Sequence, residues 1–300
     1  MTLSEMLNIG LMQGFAGLSL FSVLLLMGLG LAVIFGQMGV INMAHGEFVM
    51  AGAYAAYLTQ KVITNADVSL LLAIPVAFVV AGVLGVLLEL VVIRWMYHRP
   101  LDTLLVTFGV SLVLQQAAKD IFGAQAVAVA APSWLDGQIP ILGYRYPLSQ
   151  LFILVLTLLC LAAVVMLLKY SSFGRQIRAT VQSRDLAETL GVATRRVDRM
   201  TFFLGSGLAG IAGVAVTRIT ATESTMGSEY IIWAFLVVVA GGIGQIKGAV
   251  IAAFGLGIIR AFLTYFTDGS MAVVLTFLLV VVFLQARPQG LFAVRTRSLV

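Results

Sequence analysis

Eight apolar runs follow one another along this chain, at Leu11–Phe35, Ser69–Ile93, Thr103–Ala118, Leu148–Leu168, Thr201–Ile219, Ile231–Ile243, Ala249–Phe266 and Met271–Leu284. A helix needs about 20 mostly apolar residues to cross a bilayer. Most of the runs approach or exceed that length. They predict an all-α, polytopic helix bundle, a single membrane unit over residues 1–300. Composition agrees, because 61% of the residues are hydrophobic and 10% are charged, whereas soluble domains carry about a quarter charged residues.

A ninth segment, Val40–Leu58, is less apolar and contains Asn42, His45 and Glu47. It either spans or enters and leaves on one side, giving eight or nine transmembrane segments with one broken or re-entrant near residues 40–58. Loops on the cytoplasmic side collect Lys and Arg. Alternate loops hold Arg94, Arg99, the basic residues from Lys169 to Arg199, Lys247, Arg287, Arg295 and Arg297, which is 13 of the 18 basic residues. The other set holds Lys61, Lys119, Arg145, Arg218 and Arg260. The first set is therefore expected inside, with a cytoplasmic C-terminus. The N-terminus lies outside if Val40–Leu58 spans, and inside if it re-enters.

The net charge of +5 sits in loops between apolar runs, so it argues for orientation in a bilayer and against a nucleic-acid partner. Cys160 is the lone cysteine, within an apolar run, so no disulfide is expected. No basic region precedes the first apolar run, and a cleaved secretory signal is not expected. The outer loop 119–147 carries Pro132, Trp134, Pro140 and Pro147, and is expected to form a small cap with Trp134 at the interface.

The inner loop 170–199 contains Ser183-Arg-Asp-Leu-Ala-Glu-Thr-Leu-Gly191. Asp185 or Ser183 can start a short helix, and Gly191 suits its left-handed stop. Leu186 and Leu190 share one face, with Arg184, Asp185 and Glu188 on the polar face. Thr194 is placed to cap the helix that follows. A helix resting on headgroups would be mostly basic on its polar face. Two acids on this one favour a protein partner on the cytoplasmic side.

Ionisable groups at membrane depth cost roughly 2.5 kcal/mol or more and usually face a cavity or a partner. His45 and Glu47 follow a glycine-rich turn and read either as a pore wall or gate, or as a buried polar pair joining two helices. Thr107, Ser111 and Gln115 repeat every four residues and line one helix face, with Gln116 beside them. Glu89 reads as structural or interfacial. Arg218 and Arg260 are placed to snorkel. Gly241, Gly242 and Gly244 unsettle a helix and free carbonyls for a path. Interrupted segments in two halves of a chain point to a midplane site, and Gly36, Gly39 and Gly46 are the counterparts in the first half.

No phosphate-gripping glycine loop, metal constellation or catalytic grouping appears. His45 and His98 stand in different segments. No cofactor or metal is expected on this chain, and any ATP must be used by partner subunits.

Several motifs carry a resemblance. Gly39-Val-Ile-Asn-Met-Ala-His-Gly-Glu-Phe48 resembles the hallmark of permeases in the branched-chain amino acid and urea ABC importer family. The loop Gly174-Arg-Gln-Ile-Arg-Ala-Thr-Val-Gln182 with Leu190-Gly-Val-Ala-Thr-Arg-Arg-Val-Asp198 is similar to that family's ATPase-docking loop. Leu204-Gly-Ser-Gly-Leu-Ala-Gly-Ile-Ala-Gly213 and Gly241-Gly-Ile-Gly244 match too. Four stretches look most like the urea branch: Asn42–Glu47, Leu101–Leu105, Ala131–Leu135 and Arg287–Phe292. Trp233 stands where that branch leads one to look for an acid.

The resemblance implies a permease subunit in a bacterial inner membrane, without ATPase activity of its own. It implies a second homologous permease, two cytoplasmic ATP-binding subunits and an extracytoplasmic solute-binding protein. The docking residues would be Arg184, Asp185, Leu186, Glu188, Leu190 and Gly191. The path would draw on Asn42, His45, Glu47, Thr107, Ser111, Gln115, Gln116, Gly241, Gly242 and Gly244. Urea or a short amide is the expected cargo, since hydroxyl, amide and carbonyl groups suit it. The alternative cargo is a branched-chain or other neutral amino acid. A passive urea channel and a proton-coupled carrier using His45 and Glu47 are readings of other classes.

Overall fold

The computed structural model describes residues 3–97, 99–141 and 144–292. The expected positions of Arg295, Arg297 and the C-terminus, and of His98, lie outside the described residues. Helices α1 (Leu3–Met38), α2 (His45–Val62), α3 (Ala66–Val91), α4 (Pro100–Phe122) and α5 (Leu148–Tyr170) come first. Two short helices follow, α6 (Ser172–Gln182) and α7 (Arg184–Thr189). Then come α8 (Thr194–Val216), α9 (Met226–Gly241), α10 (Ile246–Phe266) and α11 (Gly269–Ala286). Seven of these are long and apolar enough to cross a membrane, and α9 is a shorter apolar helix. The polytopic bundle read from the apolar runs is the fold observed.

Contacts at the helix ends fix the direction of each. Ser19 of α1 meets Tyr146 and Gln150 beside the outer loop, at 2.7 and 2.9 Å. Gln37, near the other end of α1, donates to Asp198 of α8 at 3.0 Å. So α1 runs from the end that carries the 119–147 loop, the expected outer side, to the end that carries α7, the expected inner side, and α8 runs back. Residues 290–292 return to the inner end of α9, where the Leu291 N–H donates to the Ala240 carbonyl at 2.9 Å. Helix α7 and Arg287 therefore share one end of the bundle.

The Val40–Leu58 segment resolves into a loop and a half-helix. After Met38 the chain folds back along α1, and α2 begins beside Gly30, where an added Cβ would stand 3.2 Å from His45 Cε1. Gly30 lies eight residues short of the end of α1, or about 12 Å at 1.5 Å per residue. From there α2 runs to the outer side, where Gln60 accepts from the Ala130 N–H at 2.8 Å. The segment thus runs between the two ends of the bundle as a broken unit, and α1 begins at the end that carries the 119–147 loop.

The packing of α1–α3 is mirrored by that of α8–α10. Helix α1 packs on α8, α9 and α10, while α8 packs on α1, α2 and α3. Helix α2 also packs on α3, as α9 does on α10. The two triplets run in opposite directions, the arrangement of an inverted repeat. Small residues allow the close crossings. A Cβ on Gly30 would lie 2.2 Å from the Gly205 carbonyl oxygen, and one on Gly46 would lie 2.0 Å from that of Gly227.

The outer loop forms the expected cap. It contains a 3₁₀ turn at Ser133–Leu135 and a hairpin of β1 (Gln138–Ile141) and β2 (Tyr144–Pro147). Asp67 accepts from Ser133, whose backbone N–H is 2.6 Å away. Trp134 stands edge-on to Phe152 at 5.6 Å. Arg218 does not snorkel freely. It donates to the Val129 and Ala130 carbonyls at 2.8 and 2.9 Å and so pins the cap. Arg260 lies over the Trp233 ring at 4.2 Å.

Candidate functional site

The centre of the bundle is built around the carboxylate of Glu47. The turn before α2 is set by Asn42, whose side-chain oxygen accepts from the Ala44 N–H at 3.0 Å. Helix α4 clamps that turn, its Thr107 hydroxyl accepting from the Met43 N–H at 3.0 Å. One and two turns further along the same face, Ser111 Oγ and Gln115 Nε2 each donate to Glu47 Oε1 at 2.8 Å. Gln115 also donates to Ser228 of α9 at 2.7 Å. Glu47 is 1% exposed, and its Oε2 has no hydrogen-bond partner among the described residues.

Two helix N-termini meet here. Gly46 is the second residue of α2 and Gly227 the second of α9, and they touch. Helix α2 leaves this point toward the outer side and α9 toward the inner side. Both first turns bring their partial positive charge to the Glu47 carboxylate. Beside it, α2, α3 and α4 flank an open groove of about 660 Å³ that runs from Glu47 to Val62, with Val62 and Ile121 at its rim 84% and 73% exposed. Its walls are almost wholly apolar, with Met50, Val80, Leu84 and Leu114 among them. Tyr54 also lines it, and its hydroxyl is buried without a partner among the described residues.

The expected path residues thus divide. Asn42, Glu47, Thr107, Ser111 and Gln115 come together. His45 is buried one helix face away, against α1 at Gly30. Gln116 lies on the outside of α4, exposed and donating to Asp120 at 2.8 Å. Gly241, Gly242 and Gly244 belong to the inner turn between α9 and α10, packed against Gly248, Phe292 and Gly36. The Gly241 carbonyl is not freed for a solute, since the Phe292 N–H donates to it at 3.3 Å. Ser228 and Gly227 escaped the sequence reading. The available signal was the repeat: His45-Gly46-Glu47 and Met226-Gly227-Ser228 both put glycine second in a half-helix.

A second group occupies the inner end. Ser183 caps α7, accepting from the Leu186 N–H at 3.3 Å, and Gly191 ends it at φ +85°. Leu186 and Leu190 are 65% and 82% exposed, and Asp185 is exposed with them. Arg184 does not join that outer face. It pairs with Asp198, which is fully buried, approaches Glu188 at 3.7 Å and lies over the Tyr97 ring at 5.1 Å. Glu188 in turn accepts from the Thr194 hydroxyl. Thr194 is therefore no N-cap; Ala193 occupies that position. Asp198 also accepts from Gln37, and Gln37 from Thr201. Tyr97 donates to Glu89 at 2.6 Å. The short helix is thus tied by one polar chain to α1, α3 and α8.

Among the described residues no group of three or more His, Cys, Asp or Glu could hold a metal ion. The family model for the permease component of branched-chain amino acid transport systems matches residues 14–284. The chain belongs to that family. It is 30% identical over 302 residues to the high-affinity branched-chain amino acid transport system permease protein LivH of Escherichia coli K12, covering 96% of this chain and 97% of that one. BraD of Pseudomonas aeruginosa, a permease protein described in the same terms, is 27% identical over 287 residues, covering 92% of this chain and 93% of its own. LivM of Escherichia coli K12, also named a permease protein of such a system, is 26% identical over 299 residues, covering 91% of this chain and 68% of its own. No solved structure matches the chain. In this permease the motif Asn42–Glu47 is the turn and first residues of α2, and Leu190–Asp198 runs from the end of α7 into the start of α8.

Proposed function

We propose that this permease is the membrane subunit of an ATP-driven importer and that its cargo is an apolar, branched-chain-like amino acid. The observation that carries the cargo reading is the polar centre. Two half-helix N-termini and one buried carboxylate offer complementary charges to a zwitterion. Urea is neutral and has no need of either. The relatives named for branched-chain amino acids support the same choice, and the expected urea cargo gives way to the amino acid alternative.

Energy enters at the other end. Leu186 and Asp185 on α7 and Leu190 just after it form an exposed patch, and Arg184 joins that patch to the interior through Asp198. A cytoplasmic ATP-binding subunit seated on this patch would move α7, and through it α1 and α8. A second permease of the LivM kind would complete the membrane part, and an extracytoplasmic binding protein would deliver the solute.

Uptake by the reconstituted complex tests the reading. Leucine, valine, urea and acetamide are offered in turn, with ATP inside. ATP-dependent uptake of leucine and valine is expected. Uptake of urea without leucine, or uptake that persists without ATP, would overturn it.

A further inference from the structure

At the end of the bundle that carries α7 lies a polar space that the proposed transport path does not use. Arg94 and Trp95 after α3, Arg184 and Glu188 of α7, and Arg195 and Arg199 of α8 line an open pocket of about 470 Å³. Its acids are already engaged. Glu188 accepts from Thr194 and lies 3.7 Å from Arg184, which pairs with Asp198. Glu89, at the base of the pocket, is 3% exposed and accepts from Tyr97 at 2.6 Å. Three arginines are left over. Among the described residues no carboxylate lies within 4.0 Å of Arg94, Arg195 or Arg199, and all three are exposed. Arg195 and Arg199 stand four apart on one face of α8, where like charges repel. An anion in the pocket would offset that repulsion, and guanidinium groups match phosphate with paired N–H donors.

The setting of the pocket points to the source of the phosphate. The apolar span that begins at Ala66 ends at Trp95, and tryptophan at the end of a span sits at headgroup level. Trp95 is 71% exposed, with Arg94 over its ring at 4.4 Å. Val83, Leu87 and Val91 precede it at four-residue spacing and are 47%, 49% and 69% exposed. They form a strip along which an acyl chain can lie. Free phosphate would use the arginines and leave the strip bare.

We infer that this pocket binds the headgroup phosphate of an anionic phospholipid, held by Arg94, Arg195 and Arg199 with an acyl chain along Val83, Leu87 and Val91. Basic pockets between membrane helices on the cytoplasmic side suit such headgroups, and the leaflet follows from the expected orientation with α7 inside. Arg184 and Glu188 bring the back of α7 into the same pocket, while Leu186 and Leu190 do not line it. The lipid would therefore lie against the proposed docking helix without covering its exposed patch.

The test uses the assembled transporter in phosphatidylcholine nanodiscs that contain phosphatidylglycerol brominated on its acyl chains near the headgroup. Bromine quenches tryptophan at contact, and the Trp95 signal is the fluorescence that Trp95→Phe removes. Phosphatidylglycerol should quench it at a mole fraction about tenfold or more below that needed with brominated phosphatidylcholine. Arg195→Gln and Arg199→Gln should each raise the half-quenching fraction about fivefold, one arginine's share of a headgroup contact. Arg175→Gln and Arg196→Gln remove the same charge from exposed positions outside the pocket and should shift it far less.

Equal quenching by the two brominated lipids, or equal shifts from the pocket and the control arginines, would overturn the inference. Inorganic phosphate, set against chloride at matched ionic strength, should leave the quenching in place; relief would make the ligand a soluble phosphate and overturn the lipid assignment. Quenching that appears only once the ATP-binding subunits are stripped away would give the pocket to a segment of that partner, and would also overturn it. The fluorescence reads binding alone. A complex that imports no leucine leaves this result standing, and loss of selective quenching leaves the cargo reading standing.

Discussion

The centre at Glu47 and the patch on α7 are opposites in construction. The centre is closed. Its carboxylate is 1% exposed, its neighbours are held in place by hydrogen bonds of 2.7–3.0 Å, and its helices touch through glycine. The patch is open. Leu186 and Leu190 show 65% and 82% of their surface, and only the back of α7 is fixed, through Arg184 and Glu188. A closed polar centre suits recognition of a small zwitterion, because burial strengthens each electrostatic contact. An open apolar patch backed by a short polar network suits a protein that must bind and pull. On the proposed reading, burial divides the labour: cargo chemistry at depth, energy input at the surface.

The sharpest way to break this division is at the glycine crossing. Gly46→Val would place side-chain carbon against the Gly227 carbonyl, 2.0 Å from an added Cβ. Overpacking there should cost roughly 3 kcal/mol or more, and little folded protein should be recovered in a thermal-stability and expression assay. Normal recovery would show that α2 and α9 do not cross as described.

The link between the two regions comes next. Asp198→Ala removes the buried partner of Arg184 and Gln37. A loss of roughly 2 kcal/mol is expected, read as a lower Tm, and transport should fall further than ATP hydrolysis. Matched losses of transport and hydrolysis would mean that Asp198 serves stability alone.

Leu186→Arg sharpens the comparison from the open side. Surface substitutions stay within about 0.5 kcal/mol of the parent, so Tm should hold. Association of the ATP-binding subunit should weaken at least about tenfold, read by copurification. Smallest of all, Gln116→Ala should leave Tm and uptake unchanged, since Gln116 faces outward beside Asp120.

Much of the fold is legible in the apolar runs, because a helix in lipid must declare itself by length and hydropathy. The four-residue spacing of Thr107, Ser111 and Gln115 likewise gives away one face of α4, and the Gly39–Phe48 motif marks the turn into α2. What the chain hides is long-range. Nothing local says that Ser228 will stand beside Gln115, 113 residues away. Nothing local says that the Gly241 carbonyl will be taken by Phe292 rather than offered to a solute. The side of α4 that Gln116 faces depends on where α2 lies, and Arg184 looks like one more surface charge until Asp198 folds beneath it.

Glu47→Gln and Leu186→Arg, reconstituted side by side, put the division of labour to its most direct trial, with leucine uptake, subunit association and ATP hydrolysis read from the same vesicles. Glu47→Gln should keep its ATP-binding subunits and hydrolyse ATP while losing leucine uptake; Leu186→Arg should lose its subunits, its hydrolysis and hence its uptake. Leucine uptake surviving in Glu47→Gln, or a full complement of active subunits on Leu186→Arg, would contradict the account.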